Sequence, residues 1–269
     1  MPPSAAESIA SPVTIPDLAG KRVLVTGASS GIGSAMARAF AGNGAAVAVH
    51  YHSDRAGAQS VVDAICARGG KGVALGADLT QAGAASALVQ AAVEALAGLD
   101  ILINNAGGPV ALMTVAEMTD AHFDDVFNLN ARSVFTACRA AIPHLRRGGA
   151  GSSIINVTSL SARLGGSVGA SLYAASKAFS GALTKNLARE LAPYGIRANA
   201  ISPGYMDTPL HHGISSPSLV ADWVAQIPLG RAGAAKDCAG AALFLASPSL
   251  SGFVTGQVIE VNGGQHTGG

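Results

Sequence analysis

The stretch Lys21-Arg-Val-Leu-Val-Thr-Gly-Ala-Ser-Ser-Gly-Ile-Gly33 decides the fold. Its first half is a short Val-rich apolar run, suited to a strand buried on both faces of a parallel sheet. It runs into Thr26-Gly27-x-x-x-Gly31-x-Gly33, after which Ser34 to Ala41 has helical composition. Strand, glycine-rich turn and helix together cradle a pyrophosphate. The glycines let the backbone approach the ligand, and the helix N-terminus offers free N–H groups and a favourable dipole. Gly27, Ser29, Ser30, Gly31, Ile32 and Gly33 are therefore candidate cofactor-binding positions. The spacing is Gly-x-x-x-Gly-x-Gly, not the commoner Gly-x-Gly-x-x-Gly, and a plain turn has the same composition. The rest of the chain must support the reading.

Downstream, short apolar runs alternate with helical segments. Strands are expected over Ala45 to Tyr51, Lys71 to Gly76, Leu99 to Asn104, Ser153 to Ser159, Gly195 to Ser202 and Val258 to Val261. Helices are expected over Asp54 to Arg68, Ala82 to Ala97, Thr119 to Arg147, Leu172 to Leu191 and Lys236 to Ala246. This βαβ alternation predicts an α/β fold: one doubly wound parallel sheet with helices on both faces. Asn130 falls inside a helix, where asparagine has poor propensity, so it lies on the surface or is held for a reason. Residues 1–19 read as a flexible N-terminal tail and 20–269 as one dinucleotide-binding and catalytic domain. The Pro- and Gly-containing stretch 205–227 reads as a substrate lid.

Composition narrows the function classes. The 269 residues are 49% hydrophobic and 12% charged, with a net charge of +1 and no cationic stripe. That argues against nucleic acid or an anionic membrane as partner. Cys66, Cys138 and Cys238 form no Cys-x-x-Cys pair and read as small buried hydrophobes in a reducing compartment. No His-x-x-x-His with a nearby Glu suggests a metal site, and no metal is expected. The N-terminus lacks a cationic start before an apolar run, so a soluble, cytoplasmic protein is expected.

The chemistry is suggested by Tyr173-Ala-Ala-Ser-Lys177 with Ser159 fourteen positions upstream of the tyrosine. Residues four apart on a helix share a face, so Tyr173 and Lys177 lie one turn apart. An ammonium there favours the phenolate and is expected to bring the phenol, ordinarily near pKa ~10, towards the working range. Ser159 closes a β-type run and is placed to put a hydroxyl beside the phenol. Alone, the pattern is equally an amphipathic helix with a half-buried Tyr and a solvated Lys.

Taken together, Thr26-Gly27-x-x-x-Gly31-x-Gly33, Asn104-Asn105-Ala106-Gly107, Asn130, Ser159, Tyr173-x-x-x-Lys177 and Pro203-Gly204 occur in an order that resembles the short-chain dehydrogenase/reductase family. The resemblance spans about residues 20 to 264. It implies a Rossmann-type seven-stranded parallel sheet binding NAD(H) or NADP(H), and a catalytic set of Asn130, Ser159, Tyr173 and Lys177. By the same resemblance Lys177 holds nicotinamide ribose hydroxyls, and Asn130 kinks its helix and holds a proton-relaying water. Asp78 and Leu79 match the adenine-contacting position. Asn105, Ala106, Gly107, Pro203, Gly204 and Thr208 match further cofactor contacts. A homotetramer packed through two long helices and the last strand is implied as well. The serine-to-tyrosine step is one residue longer than the family usually has. The extra residue is expected in the loop Gly165 to Gly169, and Ser161 stays open as the alternative to Ser159.

The implied activity is hydride transfer between the nicotinamide cofactor and a secondary alcohol or ketone, a small-molecule substrate. A non-catalytic dinucleotide-binding protein of the same fold is the alternative, against which the intact Asn-Ser-Tyr-Lys set speaks. Substrate choice would lie with Arg163 to Leu172, Gly108 to Leu112 and the lid, where Arg163, His211 or His212 could meet an anionic group. NADP(H) is favoured over NAD(H). The second strand ends at Tyr51 without the carboxylate that bonds a ribose 2′-hydroxyl, and His50, His52, Ser53 and Arg55 are donors. Ser30, where many NADP-preferring relatives carry a basic residue, and the nearby Asp54 weigh the other way.

Overall fold

The computed structural model describes residues 14–209 and 217–267. Seven strands are laid down in the order of the apolar runs: β1 (Arg22–Val25), β2 (Ala46–Tyr51), β3 (Lys71–Gly76), β4 (Ile101–Asn104), β5 (Ser153–Val157), β6 (Arg197–Pro203) and, last in the chain, β9 (Val258–Val261). They form one sheet in the order β3-β2-β1-β4-β5-β6-β9, every neighbouring pair parallel. The order reverses between β1 and β4, which opens a crevice at their carboxyl ends, where ligands bind in doubly wound sheets. A separate two-residue ladder pairs β7 (Met206–Asp207) with β8 (Gly233–Ala234), joining the start of the stretch expected to be a lid to the segment that follows it.

Helices cover both faces. On one side α1 (Gly31–Gly42), α2 (Arg55–Cys66) and the later helix Ala235–Ala246 pack Met36, Phe40, Val61 and Leu243 against Val23, Val25, Val47 and Ile103. On the other, α3 (Ala84–Leu96), α5 (Ser133–Gly148) and α7 (Ser171–Leu191) pack Leu88, Leu145, Leu187 and Leu191 against Leu24, Leu102 and Ile154. Odd and even strand positions thus feed opposite cores, because successive strand side chains point to opposite faces. Among the described residues no helix is long and apolar enough to cross a membrane, and no His/Cys/Asp/Glu cluster has metal-holding geometry.

Four expectations change. Residues 14–19 are not a tail: Ile15 and Leu18 are buried, Ile15 N–H donates to Asn43 Oδ1 at 2.7 Å, and Asp17 receives Ser247 Oγ and Ser249 N–H. An apolar pair in the chain has a core to enter, so the flexible reading now concerns only 1–13, outside the described residues. The alternative reading of α7 as a plain amphipathic helix with a solvated Lys177 does not hold, since Lys177 is buried. Phe179 is 40% exposed, while Ala174, Ser176, Lys177, Ser180 and Thr184 face inward. Small polar residues let that helix lie close to the sheet, satisfying their hydroxyls on its own carbonyls, as Thr184 does on Ser180 O at 2.8 Å. Cys66 is exposed, unlike Cys138 and Cys238. The long helix Thr119 to Arg147 is interrupted: α4 (Asp120–Phe127) passes through a π-turn, Asn128–Arg132, before α5. Of the lid, Pro217–Ala225 is helical; His211 and His212 lie outside the described residues.

Candidate active site

The glycine loop crosses the carboxyl end of β1 and turns into α1. Gly27 has φ +62° and Gly31 φ +53°, conformations that strain any residue with a Cβ. A Cβ on Gly27 would lie 2.9 Å from Ala106 Cα, and one on Gly33 only 2.2 Å from Gly27 O and 2.6 Å from Asn105 Nδ2. Ser30 caps α1 in extended conformation without a side-chain bond, so the first-turn amides keep their donors for a ligand. Asn105 and Ala106 shape this cradle from behind: Asn105 Nδ2 donates to Thr26 O and Gly27 O, both at 2.9 Å, and the amides of both residues donate to Thr26 Oγ1. Thr208 closes the front, its Cβ within 3.5 Å of where a Gly31 side chain would start. Pro203 O receives the amide of Leu160, and Gly204 fits under Asn262 and Gln265 with no room for a side chain. These residues fit a dinucleotide.

At the outer edge Tyr51 lays its ring on Gly76, while His52, Ser53 and Arg55 are exposed. His52 Nε2 stands 3.8 Å from Asp78 Oδ1, and Asp78 bonds Thr80 N–H and hydroxyl. Leu79 is buried in the core beneath. His50 does not face this edge. It is 2% exposed, with both ring nitrogens engaged inside the protein, so it is not a phosphate donor. Asp54 turns onto its own helix, accepting Gly57 N–H at 2.8 Å.

The reactive group assembles where β4, β5, α7 and the π-turn meet. Lys177 is 2% exposed and its Nζ donates to Val157 O at 2.9 Å. Burial pushes the Lys177 ammonium down to about 8. Nζ stands 5.8 Å from the centre of the Tyr173 ring. Tyr173 is half-buried, and desolvation in the cleft pushes its phenol above the ordinary value, opposed by the Ser159 hydroxyl. The expected lowering by Lys177 is not seen, because the same desolvation penalises ammonium and phenolate alike. Ser159, not Ser161, is the serine beside the phenol; Ser161 lends its backbone N–H to Ser159 Oγ at 3.1 Å. Asn130 is fully buried. Its Oδ1 accepts Gly108 N–H at 3.0 Å, and its Nδ2 donates to Gly108 O and Val126 O at 2.9 and 2.8 Å. The longer serine-to-tyrosine step contains a short helix, Ser161–Leu164, then Gly165, Gly166 and Gly169, all at positive φ. A cavity of about 530 Å³ lined by Met206, Ile227, Arg231 and Glu260 contains none of Ser159, Tyr173 and Lys177.

A phosphate cradle at the switch point of a parallel sheet, beside a buried Lys and a Ser-flanked Tyr, defines a nicotinamide-dependent oxidoreductase. Comparison with known proteins agrees. Residues 27–266 match the family model described as enoyl-(acyl carrier protein) reductase. The chain is 45% identical to an uncharacterized oxidoreductase of Methylorubrum extorquens over 92% of its own length and 98% of the relative's. It is 42% identical to 3beta-hydroxysteroid dehydrogenase 1 of Eggerthella lenta, over 92% and 94%. A Burkholderia cenocepacia short chain dehydrogenase crystallised with NADP superposes with TM-score 0.87 at 36% identity, covering 93% of this chain and 100% of that one. The NADH-dependent reductase A1-R′ complexed with NAD gives 0.84 at 38%, covering 95% and 100%. The chain belongs to the short-chain dehydrogenase/reductase family.

Gly107 is the tightest point of the reactive group. A Cβ there would lie 2.5 Å from Asn130 Oδ1 and 2.8 Å from Lys177 Nζ. Gly107→Ala is expected to displace both and lower kcat/KM by at least about tenfold, the scale of a small misplacement, with the circular dichroism spectrum kept. Wild-type turnover in the variant would contradict this packing.

Proposed function

We propose that the protein transfers hydride between NADP(H) and the carbon of a secondary alcohol or ketone, with Tyr173 as general acid in reduction and general base in oxidation. The observation that carries the reading is the convergence of Ser159, Tyr173 and Lys177 beside the glycine cradle. When bound, the nicotinamide ring supplies or takes up the hydride. Ser159 Oγ holds the substrate oxygen next to the phenol. In reduction the Tyr173 proton passes to that oxygen and the tyrosine is left as phenolate. The Lys177 cation, which is needed most at that moment, stabilises it and, on its other side, grips ribose hydroxyls. Asn130 is a positioning residue. Both its amide hydrogens are committed, so holding a relay water falls to its Oδ1 and main-chain carbonyl.

The substrate reading is a neutral, apolar ketone or alcohol. Loop 108–113 is joined to the serine–tyrosine loop by Met113 N–H donating to Gly169 O at 3.1 Å. Val110, Leu112, Leu164 and Val168 expose 53%, 44%, 60% and 88% of their surface on these two loops. Arg163, a candidate for an anionic group, is instead held by Glu260 at 3.0 Å. The 3beta-hydroxysteroid dehydrogenase relative fits the same reading by its name. With an alicyclic ketone as substrate, Tyr173→Phe is expected to lower turnover by ~10²–10⁴-fold while cofactor affinity changes little. Turnover within a few-fold of wild type would reject the assignment.

The NADP(H) preference is supported by the absence of a carboxylate at the end of β2, by Asp54 being engaged on its helix, and by Arg55 standing exposed in the first turn of α2. Fluorescence titration should give tighter binding of NADPH than NADH. Arg55→Ala should weaken NADPH by about 1–3 kcal/mol, the scale of a charge-assisted bond, and leave NADH unchanged. Equal or tighter NADH binding by the wild type would overturn the preference.

We also read the protein as a cytoplasmic homotetramer. Phe135 and Phe179 on α5 and α7, and Phe253 before the edge strand β9, are exposed at 44%, 40% and 105%, apolar area that suits subunit contact. Light scattering at micromolar concentration should give four times the chain mass, and a monomer mass would refute it.

A further inference from the structure

Gly27 opens the phosphate loop, and the orientation of its peptide groups decides where the following amides point. Its N–H donates to Nδ1 of His50 at 3.0 Å, and its carbonyl accepts from Asn105 Nδ2 at 2.9 Å. The next amide, of Ala28, donates to the main-chain oxygen of His50 at 2.7 Å. Through Nε2 the same ring meets Ala77 O at 3.0 Å, and Ala77 N–H donates to Tyr51 O at 3.0 Å. One residue, 2% exposed, thus joins two consecutive amides of the glycine loop to the turn that carries Asp78.

These partners admit a single state of the ring. Gly27 N–H is a donor, so Nδ1 carries a lone pair; Ala77 O is an acceptor, so Nε2 carries the hydrogen. A second proton would go to Nδ1 and set donor against donor at Gly27. We propose that His50 is a positioning residue of the dinucleotide site, holding the Gly27 amide and the Ala77–Asp78 turn in binding geometry only while its imidazole is neutral, so that cofactor affinity falls in acid through this residue. The inference rests on the glycine loop being the dinucleotide site.

The surroundings keep the ring neutral at pH 7. Burial pushes the His50 imidazole below its ordinary value, the Ala77 carbonyl pulls it back in part, and the charge of His52 lowers it further. The other ionisable groups around it are Tyr51, Asp54 and Arg55 on its own strand end and the following helix, and Asp78 after β3. None of them hydrogen-bonds to the ring. The loop side presents Ser29 and Ser30, and the register neighbour on β3 is Leu75. The neutral ring is the binding form and its folded pKa lies below the ordinary value. Affinity is therefore complete at neutral pH and is lost as pH falls through that pKa, by about tenfold per unit beneath it.

Two measurements on the full-length protein test this. In ¹⁵N-labelled protein, with the signal assigned by its absence in His50→Gln, the His50 ring should appear as the Nε2–H tautomer and titrate below 6.5. Calorimetry should use NAD⁺ between pH 5 and 8, since it lacks the 2′-phosphate that itself titrates at about 6. The wild-type Kd should rise towards acid by about tenfold per unit. His50→Asn offers Gly27 an amide oxygen that does not titrate, so it should flatten that rise while staying within about tenfold of wild type at pH 8. An acid rise in His50→Asn equal to wild type, an Nδ1–H tautomer, or a His50 pKa at or above its ordinary value overturns the inference. Should the variants not fold, the wild-type ring, assigned instead through its couplings to its own backbone, decides it by tautomer and pKa. Absence of binding of both NAD⁺ and NADP⁺ by the wild type at every pH overturns this inference and the dinucleotide reading together, whereas a flat wild-type profile with tight binding overturns this one alone.

Discussion

The side of the molecule that carries Tyr173 and Lys177 depends on an ammonium group that is buried, among the described residues, without a carboxylate partner. Among the described residues Lys177 has one hydrogen-bond partner, Val157 O, and removing its charge from water is costly. The surrounding structure is arranged to hold that charge in place. Gly107 supplies the space, β5 the carbonyl, and the small inward residues of α7 let the lysine stem run along the sheet. The depressed value near 8 follows from this burial. It leaves the group cationic at neutral pH and in need of acceptors, which a phenolate at Tyr173 and the hydroxyls of a bound cofactor would supply.

The nucleotide half follows a different logic. Its cradle is main chain, and main chain must be oriented by something. Thr26, Asn105 and His50 do so by consuming, from inside the protein, the donors and acceptors that would otherwise let the loop rotate. Asn105 and Ala106 belong to the site without any need to touch a ligand. A polar group in this layer is worth more than its own hydrogen bond, because leaving a partner buried and unpaired carries a further cost.

Between the halves stands the π-turn. An extra residue in the α4–α5 helix swings Asn130 inward to clasp both the N–H and the C=O of Gly108, locking the start of loop 108–113. The Asn130 carbonyl receives Ser180 Oγ from α7 at 3.4 Å. The turn therefore joins loop 108–113 to the helix that carries Tyr173 and Lys177. π-turns of this kind are found mostly at functional sites.

Periodicity and the glycine spacing determined the fold class, the seven strands of the sheet and the positions of Tyr173 and Lys177, because these follow from local rules: side-chain alternation, helical pitch and the φ angles open to glycine. The same local rules left the burial of Lys177 open and misread the first turn of the domain at Ile15 and Leu18, where burial is decided by what packs above. They gave no sign that His50 points inward. A histidine at a strand end looks alike in sequence whether it meets solvent or a neighbouring amide, and only the parallel pairing of β2 with β1 and β3 brings Gly27 and Ala77 to its two nitrogens. The direction of the Tyr173 shift was also decided by tertiary structure. One turn of helix places a lysine near a phenol, but whether charge is favoured there depends on how much water remains, and that is set by residues far apart in the chain.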